Sequence, residues 1–187
     1  MGSLSYTATI SLDGYAVDAD GDFQWGAPTP EIFQVHLDRM HEVSTEVLGR
    51  NTYLLMKYWE AEPDDEEWAD AEREFSRRWQ ALELIVASST LTHDDLGSGT
   101  ARLISDLTLP ALEQIVADAA GEVEIFGPTT AAPAIVAGMV RDFRFFVVPK
   151  VVGGGVRALP DGARLDLKLV ESTTYDNGFA YLHYRRG

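Results

Sequence analysis

The chain has 187 residues, no cysteine, a formal net charge of −15 and a hydrophobic fraction of 45%. A chain of this size buries one core without covalent staples, and the lack of cysteine excludes disulfide scaffolds, thiolate zinc sites, iron–sulfur clusters and thiol nucleophiles. Its 15 basic residues are scattered, with no stripe to neutralise successive phosphates, which excludes nucleic acid as an expected partner. No stretch nears the roughly 18 apolar residues of a membrane span, and Met1-Gly2-Ser3-Leu4 sets no charged segment before an apolar core. A single cytoplasmic domain over residues 1–187 is expected. His36 and His41 are five residues apart, which misses one helical face, so no metal site is expected.

In chain order, Tyr6–Ile10 reads as a short strand. The turn formers Asp13-Gly14, Asp18, Asp20-Gly21-Asp22 and Gly26 then make a long, mobile loop. Pro28-Thr29-Pro30-Glu31 starts a helix, and Ile32, Val35, Leu37, Met40 and Val43 extend it over about residues 30–46, ahead of a buried strand end near Gly49. Asp64 to Trp79 is an amphipathic helix with acid at its positive dipole end. Leu84–Ala87 is a buried strand, Pro110 opens a helix that Gly121 stops, and Val123–Phe126 is the next strand. Thr129 to Val140 is an Ala-rich helix, and Phe143–Val148 is a β run ended by Pro149. Beyond Gly153-Gly154-Gly155, alternating Leu165, Leu167 and Leu169 and the turn Asp176-Asn177-Gly178 make an antiparallel hairpin. The pattern is α/β: a mixed, mostly parallel sheet closed by a C-terminal antiparallel hairpin.

Two strand ends run through glycine into a helix, where free amides and a positive dipole end favour phosphate. They are Leu48-Gly49-Arg50-Asn51-Thr52-Tyr53 and Ile125-Phe126-Gly127-Pro128-Thr129-Thr130. Arg50 supplies charge and Thr52 a hydroxyl. Ser88-Ser89-Thr90 adds hydroxyls at a third strand end, on the carboxyl edge where open α/β sheets bind ligands. Neither junction is a GxGxxG or Walker loop, and an ordinary polar turn also accounts for each.

Taken in order, Ser11-Leu12-Asp13-Gly14-Tyr15-Ala16, Gly49-Arg50-Asn51-Thr52-Tyr53, Tyr58-Trp59, Ser88-Ser89-Thr90-Leu91, Ile125-Phe126-Gly127, Pro149-Lys150-Val151-Val152-Gly153-Gly154-Gly155 and Asp176-Asn177-Gly178 resemble the RibD C-terminal-domain family of dihydrofolate-reductase-like proteins. The resemblance runs essentially end to end. It implies a three-layer α/β sandwich that binds NADPH along the carboxyl edge, with Gly49, Arg50 and Thr52 near the phosphates. Ser88 and Ser89 would lie near the adenosine ribose, and Gly127, Thr129 and Thr130 near the pyrophosphate or nicotinamide ribose. It also implies a homodimer and a small heterocyclic substrate of pyrimidine or pteridine type, as in the reductases of riboflavin biosynthesis.

On the acceptor side the loop from Asp13 to Trp25 would cover the pocket, with Phe23 and Trp25 excluding water or packing on the first helix. Asp13, Glu31 and Asp38 are the carboxyls within reach of an acceptor, Asp13 being favoured as catalytic acid, although an Asx-type turn also explains it. Tyr53, Tyr58 and Trp59 line a flat pocket or belong to the core. Two departures from the family pattern stand out. Ser88-Ser89 replaces Ser-Arg, removing a guanidinium from the 2′-phosphate and opening the site to NADH. Gly127-Pro128 replaces Gly-Gly, and a cis peptide is expected there because proline lowers the cost of the cis form to about 1 kcal/mol or less. The competing reading is a module that keeps the fold and binds a nucleotide, flavin or folate without turnover.

Overall fold

The structure is a computed structural model that describes residues 2–97 and 101–187. Its elements are β1 (Leu4–Ser11), β2 (Tyr15–Val17), α1 (Pro30–Arg39), β3 (Val43–Gly49), α2 (Arg50–Met56), α3 (Asp70–Trp79), β4 (Glu83–Ala87), β5 (Arg102–Ile104), α4 (Leu109–Asp118), β6 (Glu122–Phe126), α5 (Pro128–Val136), β7 (Asp142–Val148), β8 (Val156–Arg157), β9 (Leu167–Thr174) and β10 (Ala180–Arg186). Eight strands belong to one mostly parallel sheet, and β2 and β8 pair separately. The chain divides into two compact units, one built on Pro28–Glu124 and the other on Ser3–Ala27 with Ile125–Gly187. No helix of the described residues is long and apolar enough to cross a membrane.

In the first unit the strand order is β5-β4-β3-β6. β3 and β4 run parallel with Gly49 level with Ala87, and β4 and β5 run parallel with Ala87 level with Ile104. Strands covered on both faces read as continuous apolar runs, and Val47, Leu48, Ile85, Val86 and Val123 are fully buried. That property explains the first difference from the sequence reading, since α1 stops at Arg39 and the residues from Val43 on are strand. Thr29 caps α1 through the Ile32 amide at 3.5 Å and Pro30 takes the first helical position. A turn closed by His41 N–H to Asp38 C=O and Glu42 N–H to Arg39 C=O then ends it.

α3 likewise begins at Asp70 rather than Asp64. Ala69 has no side-chain oxygen to cap with, and the Glu72 carboxylate instead accepts the Ala69 amide at 2.7 Å. α3 packs on α1, with Arg78 Nη1 donating to the Leu37 carbonyl at 2.8 Å. Between and beside them Phe33, Trp59, Trp68 and Phe75 form a ring cluster, Trp59 and Phe75 lying 4.7 Å apart. Trp59 therefore packs in an aromatic core.

Beneath these helices the first unit buries charge. Glu46 on β3 accepts the Trp79 indole N–H at 2.9 Å, and Glu124 on β6 meets Arg39 at 2.5 Å, with Glu122 3.7 Å from the same guanidinium. Glu46 and Glu124 are 3% and 4% exposed. Desolvation, with the charge of Glu124 adding, raises the Glu46 carboxyl to about 8.

In the second unit the order is β1-β7-β10-β9; β1 and β7 are parallel, and β10 is antiparallel to both neighbours. Tyr6 meets Phe143 and Phe145 edge to face and donates its hydroxyl to the Ala158 carbonyl at 2.9 Å. Buried Asp142 receives Arg185 Nε at 2.9 Å and lies 2.7 Å from His183 Nε2. The region read as a long loop after Asp13 contains β2, whose Tyr15 and Val17 pair antiparallel with Arg157 and Val156 of β8. Gly155 permits this pairing, because at φ +126 a Cβ would stand 2.0 Å from the Val17 carbonyl oxygen.

Glu46 gives a signed pH dependence. Its folded value lies above the ordinary carboxyl value, so its contribution to stability is fully present below about pH 4.5 and is lost as pH rises through about 8. Glu46→Gln keeps an acceptor for Trp79 and removes the titration. Thermal unfolding from pH 6 to 9 is expected to show a melting temperature that falls in the native chain and is much flatter in the variant.

Candidate active site

In the first unit the sequence-predicted cofactor residues meet at two neighbouring strand ends. Gly49 ends β3 and precedes α2, whose first-turn amides at Arg50, Asn51 and Thr52 lack acceptors within the helix. The register that sets Gly49 against Ala87 brings Gly49, Arg50 and Thr52 beside Ser88 and Ser89. Arg50 and Ser89 are exposed and Thr52 is half-buried. The Ser88 hydroxyl is committed to its own turn, accepting the amides of Thr90 at 3.2 Å and Leu91 at 3.1 Å. The following segment closes over α2: Lys57 Nζ donates to the Asp95 carbonyl at 3.1 Å, and the Gly97 amide donates to the Tyr53 hydroxyl at 3.2 Å.

Tyr53 is 1% exposed, with its hydroxyl also 3.5 Å from Glu60 Oε1. It packs in the core behind α2, and burial raises the pKa of its hydroxyl. Glu31 sits exposed in the first turn of α1, where its charge complements the helix dipole. Asp38, two turns further along, accepts Gln34 Nε2 at 2.8 Å.

In the second unit Asp13 is bound at both carboxylate oxygens. Oδ1 accepts the Val152 amide at 3.1 Å and Oδ2 the Gly153 amide at 2.8 Å. A hydrogen bond from Ser11, then those two amides, outweigh desolvation and hold its carboxyl at about 2. Through these bonds Asp13 ties the turn after β1 to the 150–153 segment.

Trp25 is half-buried in a single 3-10 turn, Gln24–Gly26, with its indole N–H on the Asp22 carbonyl at 3.0 Å. That turn is organised by short acidic caps: Asp18 Oδ1 accepts the amides of Asp20 and Asp22, and Asp22 Oδ1 accepts that of Gln24. Gly127 precedes α5 at φ +89 and ψ 124. The Gly127–Pro128 peptide is trans, no peptide of the described residues being cis, which overturns the cis expectation. The turn is made at the glycine, and a trans proline with its fixed φ suits the first helical position.

Thr129 lines a cleft of about 530 Å³ together with Pro128, Ala132, Tyr15, Arg157 and Leu159, and Thr130 follows it in the first turn of α5. The sequence alone does not single out Tyr15 or Arg157. The available signal is an arginine set between apolar residues directly after three glycines.

A parallel α/β sheet with glycine-led helix starts at its carboxyl ends and a terminal antiparallel hairpin is the dihydrofolate-reductase-like fold. Dihydrofolate reductase from Enterococcus faecalis, solved with NADP(H) and RAB-propyl, shares it at a TM-score of 0.64 and 14% identity, over 100% of this chain and 97% of that one. The chain belongs to the RibD C-terminal domain family, whose model matches residues 3–181. A candidate riboflavin biosynthesis protein from Shewanella sp. PV-4 is similar at a TM-score of 0.75 and 21% identity, over 99% of both chains. The diaminohydroxyphosphoribosylaminopyrimidine deaminase/5-amino-6-(5-phosphoribosylamino)uracil reductase of Thermotoga maritima is similar at a TM-score of 0.66 and 16% identity, over 100% of this chain and 57% of that one. No curated protein matches the chain in sequence.

Asp13→Ala removes both carboxylate acceptors from the 152–153 amides. Amide hydrogen exchange at Val152 and Gly153 is expected to speed up by roughly tenfold or more, as loss of a charge-assisted hydrogen bond implies, while exchange at the β7 amides stays unchanged.

Proposed function

We propose that the chain is an NAD(P)H-dependent reductase delivering hydride to a small heterocyclic acceptor of pyrimidine or pteridine type, in the manner of the riboflavin-pathway reductases. The observation that carries this reading is the membership of residues 3–181 in the RibD C-terminal domain family, with its support in the Gly49–Thr52 and Ser88-Ser89 strand ends lying in register. When bound, the nicotinamide would supply the hydride.

The residues present fit such a cofactor. Exposed Arg50 and the free first-turn amides of α2 suit its phosphates, with Thr52 adding a hydroxyl. Ser89 is free to meet the adenosine ribose, and Gly127, Thr129 and Thr130 take the pyrophosphate or nicotinamide ribose. Trp25 and Glu31 are assigned to the acceptor, and Tyr53 stays in the core on Gly97 and Glu60. Asp13 is assigned as a positioning residue that holds the 150–153 segment. Neutral Ser89 leaves a 2′-phosphate with Arg50 as its cation, so NADH is expected to bind within about tenfold of NADPH.

Titration of the purified chain with NADPH and with NADH, followed by tryptophan quenching, tests this. Saturable micromolar binding is expected, weakened about tenfold by Arg50→Ala as for a charge-assisted contact. No binding of either nucleotide would return the chain to a module that keeps the fold without turnover.

The chain is further read as a homodimer. β9 ends the strand order, and its Leu169 and Val170 stand 55% and 49% exposed, an uncovered apolar edge of the kind that pairs. Light scattering behind size exclusion is expected to give twice the chain mass for the native protein and a single chain mass for Val170→Lys.

A further inference from the structure

The cleft of the second unit, whose Thr129 is assigned to the cofactor, also holds chemistry which that assignment leaves unused. Its volume is about 530 Å³, and Pro128, Ala132, Val156 and Leu159 give it apolar walls. Into this setting the fold brings a guanidinium and an aromatic face. Arg157 Cζ lies 4.8 Å from the Tyr15 ring centroid, within cation–π range. Three backbone features fix the pair. Tyr15 and Arg157 are register partners of β2 and β8, the Ala158 amide donates to the Gly14 carbonyl at 3.1 Å, and Gly155 admits the close approach of Val17. The arginine is exposed, and no ion pair among the described residues involves it.

We infer that Arg157 binds the carboxylate of a small planar monoanion seated in this cleft, and so selects an acceptor that carries such a group. A guanidinium lying over a ring keeps its edge N–H donors available, and their fork matches a carboxylate bidentately. The apolar walls suit the flat body of the same ligand. Charge sets the valence. Among the described residues Arg157 is the one basic residue lining the cleft and Asp161 lies on the same lining, in a chain of net charge −15. That balance accommodates one negative charge and disfavours a phosphate dianion. Naming the ligand an acceptor rests on the reductase reading; the carboxylate site itself does not.

Benzoate, phenyl phosphate and NADPH are the probes, titrated separately into the ¹⁵N-labelled full chain and followed by amide and arginine side-chain shifts. Benzoate is expected to move Tyr15, Ala158 and the Arg157 Nε signal saturably and to bind more tightly than phenyl phosphate. Arg157→Gln is expected to weaken benzoate at least tenfold and Arg157→Lys less, while both leave NADPH affinity unchanged and the remaining spectrum dispersed. Unmoved Arg157 and Tyr15 signals in the native chain would overturn the inference without recourse to a variant. So would equal benzoate affinity in Arg157→Gln, tighter phenyl phosphate, or an NADPH affinity that falls with benzoate. Arg157-dependent benzoate binding in a chain that ignores NADPH would uphold the carboxylate site and sink the reductase reading.

Discussion

Parallel strand pairing is the constraint on which the candidate site depends. A strand that must run the same way as its neighbour returns through a helix, so strand ends and the following helix starts collect on one edge. In the first unit the Gly49–Ala87 register makes this concrete. A slip of one residue would turn Val47 and Leu48 to the wrong faces and separate Arg50 from Ser88 and Ser89. The buried apolar faces of β3 and β4 thus hold the chemistry in alignment, although none of those side chains takes part in it.

Two buried carboxylates show how differently the fold treats acid. Burial opposes ionisation of Asp142, but the hydrogen bonds from His183 and Arg185 and the charges of Arg185 and Arg144 outweigh it and hold the carboxyl below its ordinary value. Glu46 is as deeply buried but gains only the Trp79 indole as a donor and has Glu124 as a like-charged neighbour, so desolvation prevails. The donors close at hand, set against the desolvation each carboxyl bears, decide which acid stays charged.

Much of this was legible in the sequence. The strands at Leu84–Ala87, Val123–Phe126 and Phe143–Val148, the closing hairpin and the helix start after Gly49 all follow from apolar runs bounded by glycine or proline. The failures have identifiable causes. β3 carries Val43, Val47 and Leu48 at spacings that a helical period also fits, so the sequence pattern does not mark the end of α1 at Arg39. β2 and β8 are two or three residues long and exist through long-range pairing, which leaves no local signature. Asp13 before Gly14 gives no local sign of the Val152 and Gly153 amides that its carboxylate holds across the chain.

The β2–β8 ribbon carries a consequence for how this fold can change. Asp13 holds the amides of Val152 and Gly153, Gly14 holds that of Ala158, and Gly155 must stay bare beneath Val17. Residues 13–17 and 150–158, far apart in sequence, therefore form one structural piece. An insertion or exchange confined to either half meets a partner shaped for the other, and a loop transplanted from a relative fits only if its distant mate travels with it.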